Sequence, residues 1–183
     1  MKTLRSEEKF RGRVVRLTVD TLELPNGHRT DFEIVHHPGG AAIVAVDAEG
    51  RVCLLRQYRP AAGGEVWELP AGRLEPGELP ALTAERELGE EAGVAASRWR
   101  SLGVSLSSPG VFDERIHLFL AEDLRPATLA REAFELIEVH WIALEDAIER
   151  CLTGSIDDSK TVVGLLRAAR LRQADRSPTV ALG

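Results

Sequence analysis

The stretch GRLEPGELPALTAERELGEEAGV, Gly72 to Val94, decides how the rest of the chain is read. Pro76-Gly77 marks a turn, and the residues that follow carry a pattern that predicts a helix over 79–92. Pro80 suits the first helical turn, where its missing N–H costs nothing. Leu79 is a poor cap, although Glu78 interacts favourably with the positive end of the helix dipole. Gly93 stands where helices commonly stop in a left-handed residue. At about 100° per residue, Ala81, Ala84, Leu88 and Ala92 share one apolar sector.

Glu87, Glu90 and Glu91 fall in the adjacent sector, three and four residues apart. Like charges at this spacing repel by a few tenths of a kcal/mol per pair, on the order of 0.2–0.5. Arg86, the only cation within the helix, is next to Glu87 rather than opposite the cluster. Two readings follow. The three carboxylates are either a solvated acidic face or the oxygen surface that a hard cation such as Mg²⁺ takes, with waters and substrate phosphates completing its octahedron. Spacing alone does not choose between them.

The whole segment resembles the Nudix box, the pattern G-x5-E-x7-R-E-U-x-E-E-x-G-U in which U is a bulky aliphatic residue. Gly72, Glu78, Arg86, Glu87, Leu88, Glu90, Glu91, Gly93 and Val94 fill it without exception. The resemblance implies an α/β fold, specifically the α/β/α sandwich with a mixed sheet, and a divalent-metal site on the loop and helix of the box. Glu87 and Glu91 would be the main ligands, Glu90 would assist, the Ala71 carbonyl would join the shell, and Arg86 would orient a glutamate. Two or three Mg²⁺ ions, with Mn²⁺ able to substitute, would then serve hydrolysis of a pyrophosphate bond.

Features outside the box point to a subfamily. Ser107-Ser108-Pro109-Gly110-Val111-Phe112-Asp113-Glu114, taken alone, is a turn. Placed after the box, it is similar to the ADP-ribose pyrophosphatase subfamily, in which this loop, with Pro109, lies along the substrate and Glu114 near the distal ribose. Along Leu54-Leu55-Arg56-Gln57-Tyr58-Arg59-Pro60, strand alternation puts Arg56 and Tyr58 on one face and Gln57 and Arg59 on the other. The resemblance makes Arg59 and Arg56 substrate-binding residues, and a planar guanidinium suits a phosphate. It also places Glu68, in Trp67-Glu68-Leu69-Pro70-Ala71-Gly72, near the metals. The general base would be a loop glutamate, Glu135 with Glu132 in reserve.

The remaining chain reads as short strands and helices. Phe10 to Leu24, a turn at Pro25-Asn26-Gly27, and Thr30 to Val35 form an antiparallel unit. Ala41–Val46 and Val52–Leu55 fit a hairpin of buried strands, and Val66–Leu69 a third strand. Strands are expected near 99–106, 115–121 and 137–142, with helices at Leu144–Leu152 and Lys160–Arg172. This divides the chain into a β-unit (1–40), a main domain (41–173) and a tail (174–183). By resemblance, the β-unit builds a domain-swapped homodimer, with Phe10, Arg11 and Arg13 available to the adenine.

Composition excludes several classes. With 44% hydrophobic and 28% charged residues in 183, the chain can build a core without staples. Cys53 and Cys151 form no C-x-x-C pair. His36 and His37 are adjacent, so they point apart. A net charge of −6 argues against a general nucleic-acid binder. MKTLRSEEKFRGR is too charged for a secretory signal, and no apolar run approaches the roughly 20 residues that span a bilayer, so a cytoplasmic protein is expected. The expected activity is ADP-ribose cleavage to AMP and ribose 5-phosphate. Another nucleoside diphosphate sugar, a GDP- or UDP-hexose, is the alternative substrate. A non-catalytic ligand sensor is the alternative class, against which the intact box stands.

Overall fold

The computed structural model describes residues 1–127 and 137–176. Ten strands and three α-helices follow one another along them: β1 (Lys2–Arg11), β2 (Arg16–Glu23), β3 (Arg29–His36), β4 (Gly40–Ala45), β5 (Arg51–Arg59), β6 (Gly64–Glu68), β7 (Ala71–Arg73), α1 (Pro80–Ala92), β8 (Val94–Leu106), β9 (Arg115–Pro126), β10 (Ile137–Ala143), α2 (Leu144–Leu152) and α3 (Ser159–Arg176). They make three sheets: antiparallel β1-β2-β3, antiparallel β10-β5-β6, and mixed β7-β4-β9-β8, in which β4 and β9 run parallel.

β4 explains why residues 41–46 read as an unbroken apolar run. Ala42, Val44 and Val46 face one core with Leu54, Leu118, Leu120, Ala147, Leu165 and Ala168, under α2 and α3. Ala41, Ile43 and Ala45 face another with Leu55, Ala84 and Leu88, under α1. A strand covered on both faces needs apolar side chains at every position rather than at alternate ones. The result is the α/β/α sandwich with a mixed sheet and a separate N-terminal antiparallel sheet, as the resemblance implied.

Four local expectations are corrected. β4 and β5 form no hairpin ladder. Apart from a bridge at Val46–Val52, they part at the Asp47–Gly50 turn and enter different sheets. An apolar run says that a strand is buried and nothing about its partner. Secondly, Phe10 to Leu24 is not one strand. The chain turns between β1 and β2, where the Gly12 N–H donates to the Val15 carbonyl over 2.8 Å. β1 is mostly exposed, so its residues carry no alternation to read. Thirdly, Ala81 is exposed, whereas Thr83 and Glu91 join Ala84 and Leu88 among the buried residues of α1. α3 also continues to Arg176, past the expected end at Arg172.

The ends of α1 follow its sequence. Pro80 opens it after an extended Leu79 that makes no side-chain cap, and Gly93 closes it at φ 67°. Glycine bears a positive φ without strain. Ala84 and Leu88 anchor the helix to β4, and Leu88 is 0% exposed. Leu88→Ala should cost about 2–5 kcal/mol, read as a lower urea midpoint with an unchanged m-value.

Candidate active site

β4, β7, α1, the loop before β9 and the start of α3 surround a cavity of about 620 Å³. One part of its lining is acidic, with Glu75, Glu87, Glu90 and Glu91; another is cationic, with Arg59 and Lys160.

Glu91 sits within the apolar stripe of α1, three residues after Leu88, and is only 3% exposed. Its Oε2 accepts the Ala71 N–H at 2.7 Å, which ties the helix to the first residue of β7. A buried carboxylate without hydrogen bonds would cost several kcal/mol. Next to Ala71, Gly72 leaves room for Glu87: a Cβ at residue 72 would lie 1.8 Å from Glu87 Oε1. The long Arg86 side chain reaches back over the cluster, which adjacency in sequence did not suggest. Its Nη1 donates to Glu87 Oε1 at 2.6 Å and Glu90 Oε2 at 3.1 Å, while Nε and Nη2 donate to Glu78 at 3.1 Å. Hydrogen bonds from Arg86 hold the Glu78 carboxyl down at about 2, helped by the Glu75 N–H and opposed by burial.

Behind the cationic part lies Glu68, 5% exposed. It accepts hydrogen bonds from Gln57 at 2.9 Å and from Arg59 Nη2 at 2.6 Å, and its other oxygen stands 3.2 Å from Lys160 Nζ. Burial works against the Arg59 charge, but the hydrogen bond and charge of Glu68 more than offset it, so the Arg59 pKa is raised. Glu114 completes the lining near His37. It accepts from the Ser107 hydroxyl and lies 3.0 Å from His37 Nδ1. Burial pushes His37 below the usual histidine range, against the pull of Glu114 and Asp113.

The structure therefore brings Arg59, Ala71, Arg86, Glu87, Glu90, Glu91 and Glu114 to one cavity. Three other candidates do not line it. Glu68 is behind the wall as the brace of Arg59; Arg56, on the opposite face of β5, pairs with Glu65 at 2.5 Å and lies over the Trp67 ring. Pro109 lies in the turn closed by Val111 and Phe112 N–H groups on the Ser108 carbonyl. Glu132 and Glu135 fall outside the described residues. Arg13 reaches the lining, while Phe10 and Arg11 are exposed outside it. His37, Arg73, Glu75, Asp158 and Lys160 were not expected there. Arg73 and Glu75 stand at unspecified positions of the box, and the other three meet it only through folding.

The donor types fit a hard divalent cation, which takes carboxylate and carbonyl oxygens. The carboxylates of Glu75, Glu87, Glu90 and Glu91 share the lining with Ala71, beside those of Glu114 and Asp158, and Gly72 keeps the Glu87 carboxylate against the chain of β7. Among the described residues, no three His, Cys, Asp or Glu side chains are already gathered around a point, consistent with Arg86 holding Glu87 and Glu90. Cys53 takes no part: burial, with the Glu91 charge, pushes its thiol up to about 12.

A family model described as the NUDIX domain matches residues 36–162. The chain belongs to the NUDIX family. A second model, the nucleoside diphosphate sugar hydrolase N-terminal domain, matches residues 1–35. Two relatives are each 40% identical over 90% of this chain and 90% of their own: an ADP-ribose pyrophosphatase of Bacillus subtilis and a methanol dehydrogenase activator of Bacillus methanolicus. A solved structure of an ADP compounds hydrolase has the same fold, with a TM-score of 0.84 at 22% identity over 96% of this chain and 95% of that one. The chain is thus a NUDIX pyrophosphatase, of a family whose members generally need a divalent metal.

Two outcomes follow from this geometry. Gly72→Ala must displace the Glu87 carboxylate, so activity should fall about a hundred-fold while far-ultraviolet circular dichroism is unchanged. The depressed Glu78 pKa gives stability that is complete above the ordinary value of 4.5 and is lost as pH falls towards about 2. The gap in urea midpoint between wild type and Glu78→Gln should therefore be wider at about pH 7 than at about pH 3.

Proposed function

We propose that this NUDIX enzyme hydrolyses the pyrophosphate bond of a nucleoside diphosphate sugar, with ADP-ribose cleaved to AMP and ribose 5-phosphate. One observation carries the reading: carboxylates and cations line the same cavity of about 620 Å³, a size that suits a sugar nucleotide. The choice of ADP-ribose rests on the relatives. Among the described residues that line the cavity there is no Phe, Tyr or Trp to stack on a base.

Glu87, Glu90 and Glu91, with the Ala71 carbonyl, would hold the metal, taken to be two or three Mg²⁺ ions that Mn²⁺ can replace. Such ions, when bound, offset the phosphate charges and make a water more acidic. The chain's own residues do the positioning. Arg86 fixes Glu87 and Glu90 by charge-assisted hydrogen bonds and keeps the three like charges from forcing the site apart. Arg59 presents a planar fork to a phosphate oxygen, with its other edge fixed on Glu68. Glu114, braced by Ser107, would accept from a hydroxyl of the distal sugar. Glu135, or Glu132 in reserve, would take the proton of the attacking water. Water then adds to one phosphorus, and the bridging oxygen leaves with the other phosphate.

The N-terminal unit, residues 1–40, would join two copies into a homodimer, and Arg56 would serve substrate only from outside this cavity. The enzyme would work in the cytoplasm; no described helix is long and apolar enough to cross a membrane.

A substrate panel tests the reading: ADP-ribose, GDP-mannose, UDP-glucose, diadenosine polyphosphates and dNTPs with Mg²⁺, products identified by chromatography. ADP-ribose should turn over fastest. Turnover of triphosphates alone would sink the proposal. Glu91→Gln keeps an oxygen for the Ala71 N–H and should fold normally, yet lose at least about a hundred-fold in kcat.

A further inference from the structure

Lys160 belongs to no motif of the chain, yet it lies on the cavity beside Arg59. It stands in the first turn of α3, with its side chain only 17% exposed. Its Nζ is 3.2 Å from Glu68 Oε1 and 3.0 Å from Asp158 Oδ2. Arg59 grips both oxygens of the same Glu68 carboxylate, Nε reaching Oε1 at 3.2 Å and Nη2 reaching Oε2 at 2.6 Å. Two cations are thus fixed, through one buried anion, at a set spacing.

Structural need does not account for the lysine. Without the lysine, Glu68 Oε2 already accepts from Gln57 and Arg59 Nη2 and Oε1 accepts from Arg59 Nε, which satisfies a buried carboxylate. Asp158 already caps α3 through the Thr161 N–H at 3.0 Å and the Thr161 hydroxyl at 2.6 Å. An ammonium carries three donors. Asp158 takes one of them as a hydrogen bond and Glu68 faces the ammonium as an ion pair, and no further partner exists among the described residues.

We propose that Lys160 is a second phosphate contact, which works with Arg59 as a two-pronged clamp on the pyrophosphate of the substrate. Glu68 and Asp158 are positioning residues: they order the ammonium and prevent it from folding back onto the acidic part of the lining. Being compact and rotatable, the ammonium can meet oxygens of either phosphate, whereas the planar fork of Arg59 fits one orientation. This inference rests on the pyrophosphate reading above.

The test compares wild type, Lys160→Met and Lys160→Arg by two measurements. Inorganic pyrophosphate is titrated calorimetrically in one magnesium-containing buffer, and KM and kcat are measured for the best sugar nucleotide of the panel. Loss of a charge-assisted hydrogen bond should weaken pyrophosphate binding, and raise KM, by roughly 10- to 100-fold in Lys160→Met. In that variant kcat falls by a smaller factor. Lys160→Arg keeps the charge and should recover most of the affinity. Thermal midpoints and circular dichroism, run in parallel, identify any variant that is misfolded, and Lys160→Arg then carries the comparison. Equal affinity of wild type and Lys160→Met for pyrophosphate, including no binding by either, overturns the proposal. So does an unchanged KM. Failure of wild type on every sugar nucleotide would instead remove the reading of function, and the pyrophosphate titration would still report on Lys160.

Discussion

The hydrogen bond from the Ala71 N–H to the buried Glu91 carboxylate is the interaction on which the site depends. A charge at 3% exposure in the apolar stripe of a helix is costly unless it is paired. Here it fixes the rotation of α1 about its axis and its height against β7. With that settled, Glu87 falls against Gly72 and Arg86 falls across Glu78, Glu87 and Glu90. The packing of Ala84 and Leu88 supplies the adhesion, but it would tolerate a small roll of the helix, which the polar bond does not.

Charge is handled similarly elsewhere in the chain. Glu122, also buried, is held by Arg98 at 2.9 Å, by Arg100 at 3.1 Å and by Arg172, and this joins β8, β9 and α3. Glu68 is held by Gln57, Arg59 and Lys160, joining β5, β6 and α3. In each case arginine is among the partners, consistent with its many donors and rigid fork. α3 is thereby located by the buried Glu122 as well as by Leu165 and Ala168 in the core. An acidic chain, with a net charge of −6, can gather cations at its cavity because its buried carboxylates recruit them.

Local chemistry was readable in the sequence where one segment carried it. The limits of α1, from Pro80 to Gly93, and the acidic cluster on it are properties of consecutive residues. The separation of Gln57 and Arg59 from Arg56 along β5 needed only the two-residue period of a strand. What could not be read was pairing. The apolar runs of β4 and β5 look like a hairpin because burial on both faces erases the alternation that would assign a side. Lys160, Asp158 and His37 come from segments far from the box, and no periodicity connects them to it. The reach of Arg86 over the whole cluster was not legible in its spacing, because a side chain with four rotatable bonds is not confined to its own sector of the helix; only the resemblance gave it a glutamate to orient.

The N-terminal sheet is attached to the site through the end of β3. At the end of β3, the Val35 N–H donates to Val111 at 2.8 Å and the Asp113 N–H donates to Val35 at 3.1 Å. Asp113 also accepts from the His37 N–H at 2.9 Å, and its other oxygen lies 2.6 Å from His36 Nδ1. A loop that shares backbone bonds with a strand cannot fluctuate alone, because breaking those bonds frays the strand as well. The 107–114 segment, which connects β8 to β9, is therefore coupled in its local opening to the sheet at residues 1–36 as well as to the sandwich. Protection of its amide hydrogens against exchange would follow the stability of that sheet, so a change far out on β2 could be felt at Glu114 without any contact between them.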